Sequence, residues 1–320
     1  MKKVEISEEL KARLRKQGYK LVGNHSAIKP CYWLRESLMR GRTCYKHKFY
    51  GIASWRCIQM TPAVVFCTNQ CIYCWRVQPG DVGIKWKQIP EKDAIWDPPD
   101  LIVKESIRMQ KVCMQGYRGV NAIPERLKEA FEPKHAAISL SGEPTLYPMI
   151  GELVEEFWKR GLTTFIVTNG TLPERIANLK REHTQLYITV PAPNKEIYYK
   201  VTRSLLSDAW ERLNKTLDLI PSLKCYTVIR LTLVKGLNMV KPEEYAKLLK
   251  GKNPTYIECK AYMHVGCSRR RLKGENMPTH EEIREFAKKV SEASGYPIIA
   301  ESKESRVVLL SKLDKPIKLA

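Results

Sequence analysis

The 320-residue sequence has no apolar run of membrane-spanning length, and its opening residues, MKKVEISEELKARLRKQGYK, hold no stretch that could serve as a signal-peptide core. A helical membrane protein is excluded, and a cytoplasmic one is expected. Acidic residues are in short supply, with 34 Asp and Glu against 55 Lys and Arg, a net charge of +21. That excess attracts polyanions through phosphate neutralisation and counterion release, so nucleic acid is the expected partner, with a merely solvated basic surface as the alternative. No low-complexity tract or internal repeat is present. At 43% hydrophobic the chain can bury one large core, and its length does not require two domains.

Residues 7–17 read as a short amphipathic helix, whereas residues 20–60 are rich in Cys, aromatics and Lys/Arg with little periodicity. A strand is expected in the apolar run 62–66. Helices are expected over 101–115, 125–131, 149–160, 207–219, 242–250 and 279–293, interleaved with strand patterns in HAAISLS, LTTFIVT, QLYITV, YTVIRLTLV and TYIECKAYM. The segments YPIIAES and RVVLLSK suit a terminal hairpin. Alternating strands and helices imply parallel strands with right-handed crossovers, a partial or full α/β barrel with its functional residues on loops after the strands.

Ten cysteines in a reducing compartment point to metal ligands or catalytic thiols rather than disulfides, and six of them fall between residues 31 and 74. In VFCTNQCIYCWR, Cys67, Cys71 and Cys74 are spaced C-x3-C-x2-C with no fourth Cys or His nearby. A structural zinc ion takes four protein ligands, commonly as two pairs. Three thiolates suit a soft centre with an open corner, such as a 4Fe-4S cluster with one iron free for a small molecule; a zinc knuckle is the alternative. Cys31, Cys44 and Cys57 form a second set at regular intervals. In a segment with almost no core periodicity, a metal centre could supply folding energy there, although buried thiols would also explain them.

The Cys67–Cys74 motif, with Tyr73 before its last cysteine, resembles the radical S-adenosylmethionine superfamily. The turn Ser141, Gly142, Glu143 and Pro144 resembles that superfamily's methionine-binding turn, and VTNGT offers Thr168 and Asn169 to the ligand's ribose or carboxylate, or simply forms a turn. The resemblance implies a partial (β/α)6 TIM-type barrel over residues 61–275, an N-terminal Cys-rich extension (1–60) and a C-terminal extension (276–320). S-adenosyl-L-methionine would be cleaved there to a 5'-deoxyadenosyl radical.

With the upstream cysteines, SLSGEPTLYP, APNKEIY, YMHVGCSRRRL and NMPTHEE, the sequence resembles the archaeal tRNA 4-demethylwyosine synthases. That resemblance implies condensation of N1-methylguanosine, beside the anticodon of phenylalanine tRNA, with two carbons of pyruvate. It implies two 4Fe-4S clusters, the second on Cys31, Cys44 and Cys57, and a separate electron donor of flavodoxin or ferredoxin type. Lys46 would form a Schiff base with pyruvate, its pKa lowered by Arg40, Arg42 and Lys48; phosphate binding or solvent exposure is the alternative. Arg269, Arg270 and Arg271 would hold tRNA phosphates, and Trp33, Trp55 and Trp75 would stack an extruded base or pack in the core. The sequence departs from the family at Thr189 and Pro191, where Ser and Asp are expected, and at Cys259 and Cys267, expected as buried thiols. A different radical enzyme modifying RNA and a zinc-dependent RNA-binding protein are the competing readings.

Overall fold

Polar caps, prolines and glycines cut this sequence into short helices and strands, which a computed structural model describes over residues 2–179 and 183–319. In chain order they are α1 (Glu8–Lys16), β1 (Lys20–Val22), β2 (Ser26–Ile28), α2 (Tyr32–Arg40), α3 (Tyr45–Tyr50), β3 (Cys57–Thr61), α4 (Pro99–Gln115), α5 (Pro124–Ala130), β4 (His135–Ile138), α6 (Ile150–Lys159), β5 (Thr163–Thr168), α7 (Pro173–Ala177), β6 (Gln185–Thr189), α8 (Lys195–Thr202), α9 (Ala209–Leu219), β7 (Tyr226–Leu233), α10 (Pro242–Leu249), β8 (Tyr256–Ala261), α11 (His280–Ser294), β9 (Ile298–Ser302) and β10 (Val307–Leu310). The caps are local and chemical. Thr279 and Glu282 form a reciprocal capping box at the start of α11, and Gly295 closes that helix in the left-handed region.

Strands β3 to β8 are parallel neighbours in sequence order, the expected result of strand–helix–strand units. The antiparallel strands β2 and β1 extend one edge and β10 and β9 the other, so all three segments marked off in the sequence share one sheet. The terminal hairpin is present, and its second strand also pairs with β8.

The main apolar core lies between the sheet and the outer helices, with Ile58, Ile138, Ile166, Ile188, Ile229 and Ile257 fully or almost fully buried. A smaller core fills the other face, where Tyr45, Phe49 and Tyr50 of α3 pack on Phe165, Tyr187, Val228 and Tyr256. Side chains from β5 to β8 converge on one short helix because the sheet curls around it. The Cys-rich N-terminal segment therefore forms the floor of the partial barrel.

One expected strand is misplaced. Residues 62–66 are irregular, and the first barrel strand is Cys57–Thr61. Pro62 has no N–H for a ladder, and its carbonyl accepts instead from His25 Nδ1 at 2.6 Å. The apolar run is buried as a loop, with Trp86 Nε1 donating to Val65 O at 2.9 Å.

Candidate active site

The loop carrying Cys67, Cys71 and Cys74 is held by its own backbone. The Gln70 and Ile72 N–H groups donate to Thr202 O and Val201 O, and Cys67 N–H donates to Gln88 O. From the other side, Cys267 N–H donates to Trp75 O at 2.9 Å. Gly266 allows that approach, because a Cβ there would collide with the Trp75 carbonyl, and its φ of +60° suits glycine.

Arg271 completes the grip. Its Nε donates to Ile72 O at 3.1 Å, and its two terminal nitrogens reach Asp81 and Cys74 O. The Arg271–Asp81 pair is 10% exposed on each side. The expected phosphate contact of Arg271 is thus replaced by an internal one, since its donors already serve the cysteine loop. Arg269 and Arg270 remain exposed on the same rim. Beside them, a cavity of about 610 Å³ between α1 and residues 80–84 is lined by Arg13, Lys16 and Arg270.

The turns after β4 and β5 meet at Glu143, which is 2% exposed. Its Oε1 accepts from Thr145 N–H, Thr145 Oγ1 and Thr168 Oγ1, and its Oε2 accepts from Asn169 N–H at 2.8 Å. Burial pushes this carboxyl above its ordinary range, and the Thr145, Thr168 and Asn169 donors oppose the rise. Oε2 retains a lone pair for one further donor, such as an ammonium. Asn169 Nδ2 donates to Thr68 Oγ1 at 2.8 Å and stands 3.8 Å from Cys67 Sγ, tying both turns to the cysteine loop. The Ser141 hydroxyl binds Val64 O. A Cβ on Gly142 would strike the carbonyls of Ala63 and Phe66, so this glycine serves the approach of protein backbone to protein backbone.

The three thiols fit an iron–sulfur group. All are free and partly buried. Burial raises the Cys67 thiol, followed by Glu143 and Cys71, and Cys71 is pushed up to about 12 by burial and then Cys74. Such sulfurs need a cation to become thiolates, and Asn69 N–H already points at Cys67 Sγ from 3.4 Å. Tyr73 lies against Cys71, its hydroxyl bonding that sulfur. Among the described residues no three His, Cys, Asp or Glu side chains close on one point as a single-ion site requires.

The upstream set assembles on the barrel floor. Cys31 caps α2, its sulfur accepting from Leu34 N–H at 3.3 Å, and Cys44 Sγ accepts from Ser54 Oγ at 3.3 Å. Cys57 begins β3. Burial and then Cys44 push Cys31 up to about 11, while Cys57 is raised by burial and Cys31 and opposed by Lys46. Three thiols and one amine thus share a neighbourhood, although 26 positions separate Cys31 from Cys57.

Lys46 Nζ lies 5.0 Å from the Phe165 ring centre and 4.1 Å from that of Tyr187, inside the barrel. Burial and then Arg230 lower its pKa to about 8. The neighbours expected from sequence do not act there, for Arg40 and Arg42 both pair with buried Glu36. Arg230, Glu258 and Lys260 escaped the sequence reading. Charged residues at positions 258 and 260, one alternation apart in an apolar strand, were the available signal.

The tryptophans carry cations on their faces: Arg42 on Trp33, Arg126 on Trp55 at 4.4 Å, and Lys29 and Arg76 on Trp75. Cys259 is fully buried and Cys267 partly so. The Pro191 carbonyl accepts from Asn238 Nδ2 at 2.7 Å.

The radical SAM superfamily model matches residues 61–249, and a wyosine base formation model matches residues 251–312. The S-adenosyl-L-methionine-dependent tRNA 4-demethylwyosine synthase of Pyrococcus abyssi is 51% identical over 97% of this chain and 90% of its own length. This chain belongs to that family. The Methanocaldococcus jannaschii synthase is 43% identical over 98% of both chains. The human synthase is 37% identical over 96% of this chain and 41% of its own length. Among solved structures, TYW1 with a lysine-pyruvate adduct bound superposes with a TM-score of 0.88 at 41% identity, covering 98% of this chain and 99% of that one. A crystal structure of archaeal TYW1 gives 0.79 at 37% identity, with the same coverage.

Proposed function

We propose that this chain is a radical SAM tRNA 4-demethylwyosine synthase that joins two carbons of pyruvate to N1-methylguanosine beside the anticodon of phenylalanine tRNA. The observation that carries the reading is the meeting of Lys46 with Cys31, Cys44 and Cys57 on the floor of a barrel whose rim bears Cys67, Cys71 and Cys74. When bound, a 4Fe-4S cluster with S-adenosyl-L-methionine would supply 5'-deoxyadenosyl radical chemistry directed at the N-methyl carbon.

This chain's residues bind and orient. Cys67, Cys71 and Cys74 would hold the cluster, and Glu143 Oε2 would accept from the S-adenosyl-L-methionine ammonium while Thr168 and Asn169 keep that carboxylate in place. Cys31, Cys44 and Cys57 would hold a second 4Fe-4S cluster. The neutral Lys46 amine adds to the keto carbon of pyruvate, and loss of water leaves a carbon–nitrogen double bond. The solved TYW1 with its lysine-pyruvate adduct supports that step. Arg269, Arg270, Arg13 and Lys16 present donors for tRNA phosphates on the cysteine-loop rim. We assign the second cluster to residues 1–60, and infer a cytoplasmic monomer that draws electrons from a separate flavodoxin- or ferredoxin-type donor. Among the described residues no helix is long and apolar enough to cross a membrane.

The test is anaerobic turnover of the loaded protein with methylated tRNA, dithionite and carbon-labelled pyruvate, followed by nucleoside mass spectrometry. A tricyclic base carrying two pyruvate carbons is the expected product. Deoxyadenosine formation without label in the tRNA would reject the pyruvate reading and leave a different radical enzyme.

A further inference from the structure

Resting on the reading that Lys46 bonds to pyruvate, we propose that Arg230 binds the carboxylate of that α-keto acid and thereby selects the two-carbon donor. Arg230 sits on β7 with 15% of its side chain exposed, turned into the barrel. Its Nε and one terminal nitrogen donate to Glu258 Oε2 at 3.0 and 2.8 Å, and that same nitrogen also donates to Tyr45 Oη at 2.5 Å. These bonds fix the guanidinium plane. The other terminal nitrogen has no protein partner among the described residues and is not sealed from the lumen.

Lys46 and Arg230 share one aromatic neighbour. Nζ of the lysine is 4.1 Å and the guanidinium carbon 4.5 Å from the centre of the Tyr187 ring. In an α-keto acid the carbon bonded by an amine is adjacent to the carboxylate carbon, so a ligand held on Lys46 brings its carboxylate within the span of that ring. A guanidinium with a committed edge and a free nitrogen is suited to receive it.

The surroundings favour an anion. Lys260 also points into this region, its Nζ donating to Ser305 O at 2.6 Å and lying 5.4 Å from the Tyr45 ring centre. Glu258, fully buried, is already engaged by Arg230, Tyr45 and Tyr50. An uncharged carbonyl compound would leave the free nitrogen of Arg230 unpaired, which is the source of discrimination.

The cluster-loaded full chain is compared as wild type, Arg230→Lys, Arg230→Gln, the double variant Arg230→Gln/Glu258→Gln, which leaves no unpaired buried carboxylate, and Tyr45→Phe. Three quantities are read: borohydride trapping of pyruvate on Lys46 by peptide mass, equilibrium binding of labelled pyruvate, and the preference for pyruvate over its methyl ester. We expect both glutamine variants to need roughly tenfold to a hundredfold more pyruvate, with turnover at saturation changed less. Their preference over the ester should vanish, and Arg230→Lys should restore part of both.

Folded glutamine variants with wild-type pyruvate binding and ester discrimination overturn the assignment, as does a Tyr45→Phe variant that loses as much as they do, for the arginine would then be only a strut for α3. Wild-type protein that traps nothing on Lys46, yet binds pyruvate in an Arg230-dependent way, overturns the lysine reading and leaves the carboxylate assignment standing.

Discussion

Thr168 Oγ1 donates to Glu143 Oε1 at 2.6 Å, a bond between the last residue of β5 and the turn after β4 in a place where neither residue meets solvent. With the Thr145 and Asn169 contacts it makes Glu143 the centre of the rim. Replacement by Gln sets an amide donor where Oε2 accepts from the Asn169 N–H, which can only donate. Glu143→Gln should lower stability by about 1–3 kcal/mol and weaken S-adenosyl-L-methionine binding at least roughly tenfold. Thermal unfolding and equilibrium dialysis measure the two effects, and undiminished binding in the folded variant would reject the ammonium role.

The two thiol sets should be independent in metal content. Reconstituted wild-type protein should hold about eight irons per chain, and each triple Cys→Ala variant, at 67, 71 and 74 or at 31, 44 and 57, about four. Iron and sulfide assays on anaerobic protein decide it. A wild-type count near four, unchanged by the upstream triple, would remove the second cluster.

Arg271 should act on the cysteine loop rather than on RNA affinity. Arg271→Gln leaves Asp81 without its ion-pair partner and frees the carbonyls of Ile72 and Cys74, with an expected loss of about 3 kcal/mol. Adding Asp81→Asn should recover part of that loss, a coupling measurable in a double-mutant cycle of unfolding free energies. Binding of tRNA at varied salt should keep its slope in Arg271→Gln and lose part of it in Arg270→Ala.

His183 gives a pH dependence of known sign. Burial holds its pKa at about 4 against 6.5 for an exposed imidazole, with Nε2 3.5 Å from Cys225 Sγ. Above pH 6.5 both folded and unfolded forms are neutral and the stabilisation is complete. Between pH 6.5 and about 4 only the unfolded chain takes the proton, so stability falls with pH by up to about 3 kcal/mol. Urea midpoints at pH 7 and pH 5 should converge in His183→Gln relative to wild type; an equal drop in both would assign the dependence elsewhere.

What was legible in the sequence follows from locality. Cys67, Cys71 and Cys74 declare their chemistry within one loop, and strand–helix alternation is a short-range pattern. Arg271 looked like a phosphate ligand because its partners Ile72 and Cys74 lie 199 and 197 positions away. The reason for a glycine at 142 was hidden in the same way, since the carbonyls that exclude a Cβ belong to distant Ala63 and Phe66. The run 62–66 looked more like a strand than CIQMT does, yet hydrophobicity without a donor at Pro62 produced a buried loop. Arg230 and Glu258 were hidden by their strands, where apolar neighbours masked the inward alternation.

The barrel floor also sets an order in time. Tyr45 reaches Glu258 across 213 positions, and Lys318 Nζ reaches Phe49 O across 269. At roughly 5–20 residues per second on a ribosome, the stretch bearing Cys44 and Lys46 emerges on the order of ten to forty seconds before Glu258 does. Throughout that interval its thiols have no β7 or β8 to shelter them. The first cysteines to leave the ribosome are therefore among the last to be enclosed.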